Sequence, residues 1–259
     1  MDLTNSIRKN VASLSERKFR KRLGLFKCEG RKCVADTIGH FQLEWLFATS
    51  EWVADNPLLS SDFRDRLFVV CHKDIERMSS LMAPQDVIAV YHIPEIGFSQ
   101  ADMMRELVIA LDNVRDPGNL GTIMRTADWF GVRTILCSEG CADVYNPKVV
   151  QATMGAISRV RVIYCNLPQI IATLDESVPV YGTFLDGECL YSATLSGNGV
   201  IIMGNEGNGV SPEIAALVGR RLFIPPFPSD AVTSESLNVA TATALTVAEF
   251  RRRVSNPKN

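Results

Sequence analysis

The feature that most constrains this fold is a regular alternation of short apolar runs and helix-length segments between Glu106 and Arg252. Apolar runs bounded by turn residues predict buried strands. The predicted strands are ELVIAL, VRTILC, RVRVIYC, VPVYGTF, GVIIMG and RRLFIP. Strands that alternate with helices pair in parallel through right-handed crossovers. The sequence therefore predicts an α/β domain with a parallel sheet covered by helices.

Two of the predicted strands end in loops that suit exposed backbone. GNEGNG begins at Gly204 after VIIM, and PPFPSD begins at Pro225 after RLFI. The carboxyl ends of parallel strands meet at one edge of the sheet, and open α/β sheets bind ligands there. The glycines of the first loop let the main chain approach a flat ligand closely. Their spacing is not the G-x-G-x-x-G of dinucleotide binders, which disfavours a nicotinamide oxidoreductase.

Composition narrows the class of protein further. The 259-residue chain is 46% hydrophobic, enough to bury a full core. Its seven cysteines are scattered without a C-x-x-C pair, which favours free thiols in a reducing compartment over disulfides or a zinc site. No apolar run is long enough to span a membrane, and MDLTNSIRKN has no signal-peptide core. We therefore expect a cytoplasmic protein without a metal.

The first forty residues have a local charge of +6, from ten basic and four acidic side chains. Ile7, Val11 and Leu14 have helical spacing, so we expect one amphipathic helix from Asn5 to Arg22. Its outer face is basic and includes an aromatic residue, as in phosphate-binding surfaces, although an ordinary solvated face is the alternative. The candidate RNA contacts are Arg17, Lys18, Arg20, Lys21, Arg22, Lys27, Arg31 and Lys32.

Four more predicted strands, LFKCEG, LEWLFAT, RLFVVCH and DVIAVYHIP, indicate a small α/β unit near the amino terminus. The segment after it carries Pro94, Gly97 and Ser99 and few apolar residues. We therefore expect a domain over residues 1–95, a linker over 96–105 and a second domain over 106–259.

Two further stretches carry polar side chains at predicted helix starts. ALDNVRDPGNLGTIMRTADWFGV predicts a strand, a turn and a helix, in which Asn119 suits an N-cap and Arg125 lies six residues later. SESLNV opens the last helix, where Ser236 suits a cap. Capping and surface ion pairs are the structural alternatives to a functional role for these residues.

Together, NLGTIMRTADWFG, IIMGNEGNGVS and IPP…ESLNVATATAL resemble the three motifs of the SpoU branch of the SPOUT superfamily. Its members are ribose 2′-O-methyltransferases of structured RNA. LFKCEGRKCVADTI, after a basic helix, resembles the family's RNA-binding domain, which is similar to ribosomal protein L30e. The resemblance implies a C-terminal trefoil knot, a homodimer and bound S-adenosylmethionine. The added N-terminal domain favours ribosomal RNA over transfer RNA as the substrate.

The resemblance also implies two groups of site residues. Those expected around the reacting groups are Asn119, Arg125, Glu206, Ser236 and Asn238. Those expected to hold the cofactor are Thr183, Gly204, Asn205, Gly209, Ile224 and Leu237. The loop over residues 225–235 is longer than is usual in the family and contains no glycine.

Two alternatives remain open. A catalytically inactive RNA-binding protein with the same fold is one, and retention of the polar motif residues argues against it. An enzyme that methylates a base nitrogen is the other, and such enzymes usually have residues other than SLN in the third motif.

Overall fold

The computed structural model of the protein describes residues 3–97, 100–228 and 234–254. The chain forms two compact units. The N-terminal unit contains the residues up to Glu95 together with Asp143–Ser158, and the C-terminal unit contains Ile96–Ala142 and the residues from Arg159 onward. The expected division at 95–106 therefore needs a correction, because residues 143–158 belong to the N-terminal unit.

The N-terminal unit is built on a mixed four-stranded sheet of order β1-β4-β2-β3. Its strands are β1 (Leu25–Glu29), β2 (Leu43–Ala48), β3 (Leu67–Val69) and β4 (Val87–His92). Numbered in chain order, its helices are α1 (Asn5–Ser13), α2 (Arg17–Leu23), α3 (Arg31–Thr37), α4 (Ser50–Asp55), α5 (Pro57–Asp62), α6 (His72–Met78) and α9 (Pro147–Thr153). Short 3₁₀ turns follow at Arg64–Arg66 and Ala156–Ser158.

The predicted single basic helix is two helices, α1 and α2, with a break at residues 14–16. The Arg20 guanidinium donates to the carbonyl oxygens of Leu14 (2.7 Å) and Ser15 (2.9 Å). In a continuous helix those carbonyls would bond to backbone N–H groups four residues later. The buried Arg20 side chain therefore supplies the hydrogen bonds that backbone N–H groups would give to these two carbonyls in a continuous helix.

The segment 143–158 is bonded into the N-terminal unit by side chains. Asp143 Oδ2 accepts hydrogen bonds from Nη2 (2.6 Å) and Nε (3.1 Å) of Arg20. The Gln151 amide donates to the backbone carbonyl of Glu29 at 2.5 Å. Tyr145 packs on Phe26 with ring centroids 4.7 Å apart. These long-range contacts explain why the segment joins this unit.

The C-terminal unit contains a six-stranded sheet of order β10-β8-β9-β5-β6-β7, and all its pairings are parallel. This confirms the predicted parallel α/β domain. The strands are β5 (Leu107–Leu111), β6 (Thr134–Cys137), β7 (Arg161–Tyr164), β8 (Val180–Cys189), β9 (Gly199–Met203) and β10 (Arg220–Phe223). The helices are α7 (Gln100–Arg105), α8 (Pro117–Trp129), α10 (Leu167–Ala172), α11 (Pro212–Ala215) and α12 (Val239–Val254).

Residues 96–105 are not only a linker, because α7 lies within them. Met103 is fully buried and packs with Val108, Val200 and Ile202 in the core of the C-terminal unit. A polar composition concealed this one anchoring side chain, so the linker prediction was wrong over α7.

The terminal helix α12 packs against α8 and is fastened at its last turn. Arg251 Nε donates to the Phe130 carbonyl at 2.8 Å, and Arg253 Nη2 donates to the Tyr191 carbonyl at 2.6 Å. Glu249 accepts hydrogen bonds from Arg252 and Arg253, and these bonds lower the pKa of Glu249 to about 2. The chain thus returns from the edge strand β10 to α8, the helix that follows the inner strand β5. No helix among the described residues is long and apolar enough to cross a membrane.

Candidate functional site

Three segments of the C-terminal unit carry the candidate site. They are the residues that follow β5, the loop over 204–211 after β9, and the residues that precede α12. Strands β5 and β9 are adjacent and parallel, with Leu111 paired to Met203, so the first two loops leave the sheet at the same edge. The loops after β9 and β10, which the sequence predicted at one edge, also leave the sheet there, because β10, β8 and β9 are paired in parallel.

Asn119 lies in the first turn of α8 but does not cap it. The cap is Asp116, whose Oδ1 accepts the backbone N–H of Asn119 at 2.8 Å. The Asn119 side chain is therefore available for other partners. Its Nδ2 donates to Glu206 Oε1 at 2.7 Å, and its Oδ1 accepts Nδ2 of Asn238 at 3.0 Å. One polar residue from each motif thus joins a single hydrogen-bonded chain.

Asn238 also sets the start of α12. Its Oδ1 accepts the backbone N–H groups of Ala240 (2.9 Å) and Thr241 (3.3 Å). Asn238 therefore caps α12, and the prediction that Ser236 is the cap was wrong. The same amide fixes the helix start with its oxygen and contacts Asn119 with its nitrogen.

The GNEGNG loop is closed by its own backbone. Asn205 and Gly209 exchange two backbone hydrogen bonds of 2.9 Å, and Gly209 has a φ of +68°. The Asn205 side-chain oxygen accepts the N–H of Gly207 at 3.0 Å and of Asn208 at 3.2 Å. A Cβ on Gly204 would lie 2.2 Å from the carbonyl carbon of Gly209. The loop is therefore compact, with Glu206 exposed at its tip.

Arg125 and Ser236 are not part of this hydrogen-bonded chain. Both side chains are exposed and form no hydrogen bond or ion pair with the residues that the structure describes. Arg125 lies about 9 Å further along α8 than Asn119, at 1.5 Å per residue. Both residues are free to contact a ligand.

The expected cofactor positions offer unpaired backbone groups. Within the described part of the chain, the main-chain groups of Gly204, Ile224 and Leu237 form no turn or loop hydrogen bond with other main-chain groups. The Leu237 side chain is 46% exposed. Thr183 is occupied, since its Oγ1 donates to the Ile202 carbonyl at 3.5 Å. Free backbone donors and acceptors beside an exposed apolar side chain fit a flat, partly apolar ligand.

The long loop predicted over residues 225–235 follows β10. Residues 229–233 lie outside the described residues. Phe227, which precedes them, is 96% exposed.

The cysteines do not form a metal site among the residues described. Cys137 and Cys141 are buried, and Cys141 Sγ donates to the Leu111 carbonyl at 3.2 Å. The neighbouring Cys141 thiol and burial raise the pKa of Cys137 well above its ordinary range. Cys137 therefore acts as a small apolar core residue.

Two of the eight predicted RNA contacts are structural. Arg20 is 2% exposed and is paired with Asp143. Lys27 is 1% exposed, and its Nζ donates to the Met78 carbonyl at 2.5 Å and lies 3.2 Å from Glu29 Oε1. Burial lowers the pKa of Lys27 despite the nearby carboxylate. The prediction was wrong for both residues, because a charged pattern in sequence does not show which cations have buried partners.

The exposed cations of α2 form a continuous group around Phe19. Lys18 and Arg22 lie over its ring, 4.8 and 4.7 Å from the centroid. Arg17 and Lys21 are exposed and have no ion pair with the residues described. We call the exposed set the α2 cation cluster: Arg17, Lys18, Lys21 and Arg22.

The other two predicted contacts are partly neutralised. Arg31 pairs with Asp55 at 2.8 Å and with Asp86 at 2.6 Å. Lys32 pairs with Asp36 at 3.2 Å. Their carboxylate partners make both residues poorer phosphate ligands than Arg17, Lys21 and Arg22. Within the α2 cation cluster, Lys18 also has such a partner, Glu16 at 2.9 Å.

A basic groove of the N-terminal unit was missed by the sequence interpretation. It has a volume of about 260 Å³ and is lined by Asn5, Arg8, Lys9, Ala12 and Arg77. Arg77 is on α6, and Asp74 of the same helix lies 2.9 Å from Nε of Arg8 and 4.0 Å from Nη1 of Arg77. Only the packing of α1 on α6 brings Arg77 beside Arg8 and Lys9.

Comparison with known proteins assigns both parts of the chain. Residues 106–248 match the model of the SpoU rRNA Methylase family, and residues 5–89 match the MRM3-like substrate binding domain. The match to the second model identifies an N-terminal substrate-binding domain, as the sequence predicted.

Two curated relatives of the chain are named as rRNA methyltransferases. The chain is 32% identical to the 23S rRNA (guanosine(2553)-2′-O)-methyltransferase RlmP of Bacillus subtilis, over 77% of this chain and 79% of that protein. It is 33% identical to mouse rRNA methyltransferase 3, mitochondrial, over 58% of this chain and 37% of that protein.

Solved structures share the whole fold. A protein of the TrmH family from Porphyromonas gingivalis has a TM-score of 0.88 and 38% identity, covering 98% of this chain and all of that one. The AdoMet-bound rRNA methyltransferase of Sinorhizobium meliloti has a TM-score of 0.84 and 30% identity, covering 98% and 97%. These matches confirm the family that the three motifs indicated: the chain belongs to the SpoU rRNA methylase family.

Proposed function

We propose that this protein transfers a methyl group from S-adenosylmethionine to a ribose 2′-hydroxyl of ribosomal RNA. The observation that carries the proposal is the hydrogen-bonded chain from Glu206 through Asn119 to Asn238, which joins the three family motifs. The names of the Bacillus and mouse relatives and the AdoMet-bound relative support the same activity.

The cofactor fits the free backbone groups of Gly204, Ile224 and Leu237. When bound, it supplies an electrophilic methyl group on a positively charged sulfur. The protein has to place the ribose oxygen in line with that group, and placement supplies most of the rate. Asn119 and Ser236 orient the ribose, and Asn238 braces the loop that carries Ser236.

Arg125 binds the phosphate next to the reacting ribose and stabilises the negative charge that develops on the 2′-oxygen. An arginine side chain keeps its proton in proteins, so a neutral arginine that accepts the hydroxyl proton is costly. Its exposed, unpaired position on α8 suits contact with an RNA phosphate. We therefore assign Arg125 to charge stabilisation.

A homodimer is part of the proposal. Trp129 on α8 is 85% exposed. Leu237, just before α12, is 46% exposed, and Leu245, on α12, is 39% exposed. Exposed apolar side chains on two packed helices suit a protein interface. Trp129 is one helical turn from Arg125, so a partner on this face would lie close to the reacting groups.

Two finer features of the fold belong to the same proposal. The return of α12 from the edge strand β10 to α8 is consistent with a trefoil knot. The mixed sheet with helices in the N-terminal unit is consistent with a ribosomal-protein-like RNA-binding domain. A cytoplasmic location stays a prediction, and relatives named as mitochondrial make that compartment the alternative.

A methyl-transfer assay tests the function. The purified protein is incubated with S-adenosylmethionine labelled in the methyl group and with ribosomal or transfer RNA from cells that lack the gene. We expect label in one 2′-O-methyl nucleotide of ribosomal RNA. Cofactor binding without transfer to any RNA would favour the inactive RNA-binding protein, and label on a base would favour the base-nitrogen alternative.

The α2 cation cluster should supply phosphate contacts. Changing Arg17, Lys18, Lys21 and Arg22 together to glutamine should weaken RNA binding about 100-fold at moderate salt and reduce the salt slope by up to about 3. Glutamine keeps the helix propensity. RNA affinity is measured by fluorescence anisotropy at several salt concentrations.

The control variant changes three other exposed cations of the same unit to glutamine: Arg64, Arg66 and Lys73. It should bind RNA nearly as tightly as the wild type. Cofactor affinity should stay unchanged in both variants. Equal RNA affinity in the α2 variant and the wild type would show that the basic face of α2 is an ordinary solvated face.

A further inference from the structure

A buried carboxylate lies behind the loops of the candidate site and has no role so far. Asp112 directly follows β5 and is 2% exposed. Its Oδ2 accepts the backbone N–H of Ser211 at 2.7 Å, and its Oδ1 accepts Nδ2 of Asn113 at 2.8 Å. No basic side chain among the described residues pairs with it. Because burying a carboxylate costs free energy, these two N–H groups are what compensate it.

Asn113 extends the contact to the other end of the same loop. Its φ is +56°, and its backbone N–H donates to Ser138 Oγ at 2.9 Å. Its carbonyl oxygen accepts Nδ2 of Asn205 at 2.8 Å. The pair Asp112 and Asn113 therefore holds the loop over residues 204–211 near its start, at Asn205, and at its end, at Ser211.

Glu206 lies between these two attachment points. Its Oε2 is 3.3 Å from Nδ2 of Asn205, and its Oε1 accepts Nδ2 of Asn119 at 2.7 Å. The hydrogen bonds thus run without a gap from Asp112 through the GNEGNG loop to Asn119 and Asn238.

We propose that Asp112 is a positioning residue for methyl transfer, which holds the end of the loop over 204–211 directly at Ser211 and its start through Asn113, and so places Glu206 against Asn119. This inference rests on the proposed function. The side chain at this position has to accept on both sides, because both neighbours are N–H donors. An asparagine of the same shape has one acceptor, so it would direct its own N–H₂ at one of the two donors.

The variant Asp112→Asn tests the proposal at two levels. Hydrogen exchange of the amides of Gly207, Asn208, Gly209 and Ser211, all of which are bonded in the structure, should become at least about tenfold faster. The kcat of methyl transfer should fall about 30-fold, while RNA affinity stays within about twofold. Unchanged exchange in this loop would overturn the proposal.

A double-mutant cycle with Glu206→Gln separates positioning from a general loss of stability. If Asp112 acts through Glu206, the double variant should lose no more than about threefold in kcat beyond the worse single variant. Losses that multiply would show that the two residues act independently and would overturn the proposal.

The matched control is Asp175→Asn. Asp175 also accepts two bonds, from the N–H of Ser177 at 2.9 Å and from its hydroxyl at 2.5 Å, but in an exposed turn after α10. Exchange in the 204–211 loop and kcat should match the wild type.

A second variant keeps the test valid if Asp112→Asn does not fold. Asn113→Gly removes the Nδ2 donor, and glycine accepts the positive φ readily. It should also accelerate exchange of residues 205–211, and unchanged exchange would contradict the proposal. If the wild type methylates no ribosomal RNA, the proposed function fails, while the exchange measurement still decides the role of Asp112.

Discussion

Replacing Arg125 by alanine should lower the methyl-transfer rate by about 1,000-fold and leave the affinity for S-adenosylmethionine within about twofold. Removing one donor that stabilises a developing oxyanion costs 10²–10³ in rate, and loss of the phosphate contact adds to this. Arg125 forms no hydrogen bond or ion pair with the described residues, so its loss should cost the fold little. Single-turnover transfer to ribosomal RNA and calorimetric titration of the cofactor measure the two quantities.

Two further variants show whether the effect belongs to this guanidinium. Arg133→Ala removes another exposed arginine of the same unit, just before β6 and hence at the opposite edge of the sheet, and should transfer methyl groups at the wild-type rate. Arg125→Lys keeps the charge without the planar fork and should recover only part of the rate. Wild-type turnover in Arg125→Ala would refute the assignment.

The sheet of the C-terminal unit could be predicted because its strands are marked locally. The run VIIM is apolar throughout and ends at a glycine, and parallel strands buried on both faces have this composition. The run RLFI, on the edge strand β10, begins with an arginine and ends at a proline. The common edge of the loops after β9 and β10 followed from the parallel topology alone, and the residues after β5 lie at the same edge. Leu111 and Met203 then pair in the register that this topology requires.

The role of Asn119 illustrates an ambiguity that local sequence does not resolve. Asp116 and Asn119 are both good caps, three residues apart, and either could begin α8. In the structure, Asp116 is the residue that caps α8. This leaves both polar atoms of the Asn119 amide for Glu206 and Asn238.

The basic N-terminal segment could be predicted only as a charge pattern. Arg20 and Arg22 are two residues apart, yet one is buried against Asp143 and the other is exposed. Asp143 lies 123 residues further along the chain, so no local pattern shows the pairing. For the same reason, the inclusion of residues 143–158 in the N-terminal unit could not be predicted from composition.

The second large effect is expected for Gly204→Ala, which should reduce S-adenosylmethionine affinity and turnover by about 100-fold each. The added Cβ would lie 2.2 Å from the carbonyl carbon of Gly209 and 2.3 Å from the nitrogen of Val210. Both are backbone atoms, so the loop must shift. A displacement of about 1 Å at a reacting site costs roughly 100-fold in rate. The overpacking should also lower the free energy of unfolding by about 1–3 kcal/mol.

Gly219→Ala is the matched control in the same unit, because the nearest atom to its new Cβ is the Val180 carbonyl oxygen at 3.6 Å. It should bind cofactor and transfer methyl groups as the wild type does. Thermal unfolding of both variants separates local from global damage. A Gly204→Ala protein that remains folded but binds cofactor weakly would tie this backbone position to the cofactor. Full affinity with a lowered melting temperature would instead make Gly204 a packing residue, and the cofactor contact would have to lie elsewhere along the sheet edge.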